Sequence, residues 1–260
     1  MTENQHGVAR KEFSKQAPRF GEGGFALTSR EYLQWIVDHL ELQSHYEVLD
    51  VAAGTGHLGR AIAPHVRRVV ALDLTPEMLL EGGREAEKGG VTNIVFEQGL
   101  AEDIPYPNDS FDMVVSRFSF HHFEKPHIQI GEMVRVCRPG GTMGVIDLVA
   151  PEDEVLAARY NRVERLRDPS HTRALSAGEL KGLVRNARLD IVQTASREVE
   201  VSVHRWLDLA GTEPEGRRTI LEELAQELKG SSATGMRAFM RDNELMYLQT
   251  WVIVTGVKIV

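Results

Sequence analysis

The chain has 260 residues, enough to bury a sizeable core as one α/β domain. It carries 30 Lys and Arg against 38 Asp and Glu, a net charge of -8, so its surface repels phosphate backbones and a nucleic-acid substrate is disfavoured. The single cysteine, Cys137, excludes an internal disulfide, Met1 to Lys15 contains no apolar secretory core, and no apolar run approaches the ~20 residues that span a bilayer. A cytoplasmic protein without a membrane span is expected.

Residues 1 to 8 are polar, and Ala9 to Phe20 can form a short helix presenting Phe13 and Phe20. Thr28 and Glu31 have the spacing of a capping box ahead of the apolar face Tyr32, Leu33, Ile36, Val37 and Leu40. Glu47 to Val51 reads as a buried strand that carries a carboxylate, Asp50, near its end. A glycine-rich turn and a helix beginning near His57 follow. Val69 to Asp73 is a second strand, and Thr75-Pro76 opens the next helix. Strand-like runs recur at Asn93 to Glu97, Phe111 to Ser116 and Thr142 to Val149. Between the last two, a helix opened by Pro126 has the stripe Ile130, Met133, Val134 and Cys137, and Arg138-Pro139-Gly140-Gly141 stops it. Strands alternating with helices imply parallel pairing through crossover helices, hence a doubly wound sheet.

After Pro151 the rhythm changes. Glu152 to Arg167 is helical, and Ser176 with Glu179 makes a second capping box. Leu189 to Thr194 reads as a sixth strand, Val203 to Arg241 as a helical insertion, and Tyr247 to Val260 as a long closing strand. No repeats or linkers appear, so 1–260 is read as a single domain. Residues 1–40 form N-terminal helices, 41–150 the ligand-binding core, and 151–260 the C-terminal part with its insertion at about 203–241.

The first strand–helix turn carries the chemistry. Gly54-Thr55-Gly56-His57-Leu58-Gly59 matches G-x-G-x-x-G, and Asp73 ends the next strand, placed to accept hydrogen bonds from a ribose diol. Both features specify adenosine and leave two readings, a nicotinamide-dependent oxidoreductase or a user of S-adenosylmethionine. Asp50 separates them by charge. A partly buried carboxylate ~4 Å from a dinucleotide phosphate is opposed by ~4 kcal/mol at an effective dielectric of ~20. S-adenosylmethionine carries an ammonium and a sulfonium instead, which Asp50 would attract directly or through water.

The run Val48-Leu49-Asp50-Val51-Ala52-Ala53-Gly54-Thr55-Gly56 resembles the glycine loop of class I S-adenosylmethionine-dependent methyltransferases, within them the ubiquinone and menaquinone biosynthesis group. Four more stretches agree in order: Leu72 to Met78, Ala101 to Pro107, Ser110 to Ser116, and Arg138 to Gly141. The resemblance covers roughly residues 47–151. It implies a Rossmann-like, mostly parallel seven-stranded sheet with a C-terminal antiparallel strand. It implies S-adenosylmethionine as cofactor and in-line methyl transfer to a small organic acceptor. It places Asp50, Ala52, Gly54 and Gly56 along the methionine end, Asp73 on the ribose, and Leu74, Leu100 and Ala101 around adenine, with Ser116 beneath the methionine. Two positions depart from the family: Ala52 replaces a common glycine, a mild change, and Leu100 replaces a frequent aspartate. The second departure, with the lack of a compelling base, keeps a non-catalytic donor-binding module as a further reading.

Methyl transfer from a sulfonium needs alignment more than it needs a catalytic side chain. His121 and His122, just past the fourth strand, lie where ligands bind in open α/β sheets. His122 is a candidate base or acceptor-orienting donor, or else a histidine that shapes its loop. Asp147 either orients an acceptor or caps the turn before Pro151. Arg167 to His171 is a polar cluster that either frames the acceptor pocket, through His171, or forms a solvated turn. Phe20 is a candidate acceptor contact, on a helix that acts as a lid or stays docked. Met236, Phe239 and Met240 are candidate apolar lining under the insertion, and Cys137, Trp35 and Trp206 are read as packing. No metal site is expected, because no third ligand stands at a recognisable spacing. The acceptor atom and the oligomeric state are open.

Overall fold

A computed structural model describes residues 5–20 and 26–259. Its centre is an eight-stranded sheet in the order β3-β2-β1-β4-β5-β8-β6, with β7 pairing on β8. The strands are β1 (Glu47–Val51), β2 (Arg68–Asp73), β3 (Ile94–Gln98), β4 (Phe111–Arg117), β5 (Cys137–Val149), β6 (Leu189–Ser202), β7 (Ala238–Arg241) and β8 (Glu244–Lys258). The first five pair in parallel, and β8 runs antiparallel to β5, β6 and β7. From β1 the chain winds outward through β2 and β3, then returns to β4 on the other side of β1. The carboxyl ends of β1 and β4 therefore part in opposite directions, the crevice where such sheets bind ligands.

Helices cover both faces: α1 (Gln5–Phe20), α2 (Arg30–Val37), α3 (His57–Ile62), α4 (Pro76–Lys88), α5 (Pro126–Val136), α6 (Glu154–Arg167), α7 (Ala177–Asn186), α8 (Val203–Ala210) and α9 (Pro214–Leu228). Strand alternation divides the core into two layers. Val48, Val69, Met113 and Val115 pack with Ile36, Leu58 and Ile62 from α2 and α3. Leu49, Val51, Val70 and Val114 pack with Ile130 and Met133 of α5 and Leu180 and Val184 of α7. Each such side chain contributes roughly 1.5–3 kcal/mol by leaving water. A third cluster joins Tyr160 and Val163 of α6, Trp206 and Leu207 of α8, and Ile220 and Leu224 of α9 to Tyr247 of β8. Among the described residues no helix is long and apolar enough to cross a membrane.

Four expectations are corrected. The sheet has eight strands rather than seven, because the end of the expected helical insertion, Ala238–Arg241, forms a hairpin with β8. The sixth strand continues eight residues past Thr194 to Ser202, since its polar side chains alternate outward on an edge strand and leave its pairing with β8 intact. The fifth strand begins at Cys137, not Thr142, with Cys137 paired to Phe111. Ser29 rather than Thr28 precedes α2, and its side chain makes no capping hydrogen bond, because Ala26–Thr28 is taken up in a 3-10 turn. The second capping box forms as expected, with the Ser176 side chain accepting from the Glu179 N–H and Glu179 accepting from the Ser176 N–H.

Candidate active site

Three left-handed residues build the turn between β1 and α3: Ala52 at φ 54°, Gly54 at φ 57° and Gly56 at φ 69°. The Asp73 carboxylate ties this turn to β2. Its Oδ2 accepts from the Gly54 N–H at 2.7 Å and its Oδ1 from the Thr75 N–H at 2.8 Å. The Leu74 N–H and the Thr75 hydroxyl also bear on this carboxylate, which is held at the rim of the cavity. A Cβ at Gly54 would meet nothing within 4 Å, so the space over the turn is open, whereas one at Gly56 would lie 2.7 Å from the Phe96 ring. Ala52 is less mild a departure than its sequence suggests, since left-handed backbone costs a non-glycine residue roughly 1–2 kcal/mol. Glycine there gives back part of that in unfolded-state entropy. Ala52→Gly is expected to raise stability by up to about 1 kcal/mol, read as a rise in melting temperature of about 2–4 °C.

A cavity of about 1470 Å³ opens over this turn. Ligand sites usually occupy roughly 300–1,000 Å³, so it has room for a donor and a second molecule. Ala52, Gly54, Asp73, Leu74, Leu100 and Ala101 line it with Phe20, whose ring lies near His57 on the turn side, and His121 and His122 line it as well, with Phe13 edge-on to His122 at 4.9 Å. Of the sequence candidates, Asp50, Gly56, Ser116, Asp147 and His171 do not line it. Gly56 lies one step behind the turn, against Phe96. Ser116 is fully buried, its hydroxyl donating to the Val51 carbonyl at 2.8 Å and meeting Ser119, which lines the cavity in its place.

Asp50 requires the largest correction. It shares the α3 side of β1 with Val48 and is only 1 % exposed, not partly buried. Its Oδ2 accepts from the Gly59 N–H at 3.0 Å. Burial pushes its carboxyl up to about 7, opposed by that hydrogen bond and by the Arg117 guanidinium. The anion on which the sequence argument rested therefore sits behind the turn, in the field of a cation that the sequence reading did not single out.

A second part of the wall is built around histidines. The Nδ1–H of His121 donates to Asp147 Oδ1 at 2.6 Å, and its backbone N–H to Asp147 Oδ2 at 3.2 Å. Asp147 thus orients His121 rather than capping the turn before Pro151. Burial opposes a charge on His121, but the adjacent Asp147 carboxylate outweighs it and the imidazole pKa is raised. His122 Nδ1 lies 3.0 Å from the Ser170 carbonyl, which can only accept, so Nδ1 carries the proton and Nε2 the lone pair. The Ser170 hydroxyl stands 3.1 Å from the same nitrogen and donates to Asp168 Oδ1 at 2.6 Å. Burial, reinforced by His121, pushes His122 down to about 4. Among the described residues neither histidine has a hydrogen-bond partner on Nε2. His171 is set behind them, its Nε2–H donating to Asn161 Oδ1 at 2.8 Å, and its ring stacks 5.4 Å from that of His121.

Asp147→Asn removes the counter-ion of a buried cation and is expected to destabilise the fold by about 3 kcal/mol. Because the His121 pKa is raised on folding, the ion pair's contribution is complete below the unfolded value of about 6.5 and fades as pH rises through the folded one. The variant should therefore lose more stability at pH 6 than at pH 9, measured by denaturant titration.

Helix α1 lies across the cavity, with Gln5, Ala9, Phe13, Gln16 and Phe20 facing it. It is fastened at both ends. The Phe20 carbonyl accepts from His57 Nε2–H at 3.1 Å, on the turn side. Gln16 donates to Asp168 Oδ2 at 3.2 Å and Gln5 to the carbonyls of Ser170 and His122 at 2.7 and 3.2 Å. Phe118 and Trp251, in ring contact at 4.6 Å, also line the cavity, with the Trp251 indole N–H donating to Gln249 Oε1 at 2.7 Å. Of the expected lining from the insertion, Met236 is fully buried in the third cluster and Phe239 and Met240 lie on β7, away from the cavity. Sequence reasoning missed His57, hidden in a variable position of the glycine motif, and Arg117, whose only signal was a charge beside a buried strand end.

A family described as a methyltransferase domain matches residues 48–141. An uncharacterized methyltransferase, YcgJ of Bacillus subtilis, is 33% identical over 213 residues, covering 82% of this chain and 83% of that protein. Its crystal structure superposes with a TM-score of 0.80 at 29% identity, over 89% of this chain and 100% of that one. A ubiquinone/menaquinone biosynthesis C-methyltransferase of Ectopseudomonas mendocina is 36% identical over 118 residues, 44% of this chain and 46% of that protein.

Proposed function

The chain belongs to the S-adenosylmethionine-dependent methyltransferases, and from that membership we propose that its cavity aligns the donor with a small organic acceptor that surrenders a proton as it is methylated. The nicotinamide reading and the non-catalytic one give way to that membership. S-adenosylmethionine supplies an activated methyl group on a positively charged sulfur. The residues present suit it: the Asp73 carboxylate lines the cavity at the end of β2, where a ribose diol can reach it, and Gly54 leaves the backbone open to close approach. Ala52, Leu74, Leu100 and Ala101 complete the donor site, with adenine held by apolar contact where Leu100 replaces a carboxylate.

In the acceptor site, His122 Nε2 takes the acceptor's proton. Its low basicity suits a proton accepted only during transfer, when a bound donor would give up its positive charge and leave the cavity's net charge unchanged. His121, held by Asp147, offers an N–H to an acceptor oxygen. Phe13, edge-on to the His122 ring, excludes water around the reacting atoms, and Phe20, Phe118 and Trp251 add apolar lining. We read 1–260 as one domain, with the insertion near 203–241 closing the acceptor end.

The observation that carries this reading is that two imidazoles with unpartnered Nε2 atoms share one cavity with the Asp73 carboxylate. Cover by α1 and the net charge of -8 favour a small molecule over nucleic acid. Incubation with methyl-labelled donor and a cell extract should place the label in the low-molecular-mass fraction. Label in the nuclease- or protease-sensitive fraction would contradict it.

A further inference from the structure

The register of β1 against β4 sets Val51 opposite Ser116, so Ala52, just past β1, and Arg117, the last residue of β4, stand side by side and both reach the cavity. Arg117 is an unusual wall residue. One guanidinium N–H₂, Nη2, donates to the Leu27 carbonyl, and the group stacks over the Phe118 ring at 4.5 Å. Its Nε is buried without a partner among the described residues. Asp50 is near enough for each group to feel the other's charge, yet no hydrogen bond joins them; Asp50 spends its Oδ2 on Gly59 instead. The guanidinium thus keeps its charge, since burial lowers it only to about 10, and among the described residues most of its five N–H donors are uncommitted.

We propose that Arg117 binds the carboxylate of the donor's methionine tail. This rests on the donor reading above and adds to it. The tail is a zwitterion, and the site must answer both signs. Arg117, a cation on the cavity wall with donors uncommitted among the described residues, answers the carboxylate. Guanidinium matches carboxylate geometry with two parallel hydrogen bonds, which an ammonium side chain cannot reproduce. Asp50, behind the turn, then serves as the counter-ion that keeps a buried arginine in place when no ligand is bound, a role that fits its position better than direct contact with the ligand.

The test is calorimetric binding of S-adenosylhomocysteine and of its decarboxylated analogue, which keeps the ammonium and the adenosine. The wild type should bind the analogue roughly 10- to 100-fold more weakly. Arg117→Met should bind both ligands alike, at about the wild type's affinity for the analogue, and Arg117→Lys should recover part of the preference. The wild-type comparison alone decides the matter if Arg117→Met does not fold. Equal binding of the two ligands by the wild type, or an undiminished preference in a folded Arg117→Met, overturns the assignment of Arg117 and leaves the donor reading standing. Failure of the wild type to bind S-adenosylhomocysteine at all overturns both.

Discussion

Asp73→Ala is expected to weaken S-adenosylhomocysteine binding by about 10²- to 10⁴-fold, because it removes two charge-assisted hydrogen bonds worth roughly 1.5–3 kcal/mol each. The carboxylate also organises its own surroundings. Its oxygens hold the Gly54 and Thr75 N–H groups at 2.7 and 2.8 Å, so the alanine variant leaves two backbone donors unpaired and loosens the turn that faces the ligand. Asp73→Asn keeps the shape but turns an N–H₂ toward one of those donors, and should fall between the two. Calorimetric titration reads the effect. An alanine variant within threefold of wild type would show that the ribose is held elsewhere.

His122→Asn is expected to lower kcat by about 10²- to 10⁴-fold, the usual contribution of a positioned general base, with little change in donor affinity. Asparagine can still donate to the Ser170 carbonyl, so the loop keeps its anchor while the lone pair facing the cavity is lost. Since burial and the neighbouring His121 push His122 down to about 4, the imidazole keeps that lone pair through mildly acid conditions. The acid limb of the wild-type rate should fall near pH 4 rather than near 6.5, followed as labelled-methyl transfer to the acceptor isolated from the extract. An acid limb near 6.5, or an asparagine variant of unchanged rate, would remove His122 from the proton's path.

Much of this was legible in the sequence because its signals are local. The strand–helix alternation, the glycine turn, Asp73 and the adjacent histidines all announce themselves within a few residues. What escaped depends on pairing across the chain. Ser116 was assigned to the donor, yet its hydroxyl is taken by the Val51 carbonyl, and His171 by Asn161. β7 is four residues long and becomes a strand only because β8 lies beside it. Asp50 is the instructive case. Its strand parity already put it with Val48 on the side of α3, away from the ligand, but the sign of its charge drew attention from the direction of its side chain. Arg117, one residue past Ser116, was the missing half of that electrostatic argument.

A structure with S-adenosylhomocysteine bound tests the placement of both ends of the reaction at once. The ribose hydroxyls should lie on Asp73 and the sulfur should face His121 and His122 across the cavity under α1. A ribose remote from Asp73, or a sulfur turned away from the two imidazoles, would contradict this account of the site.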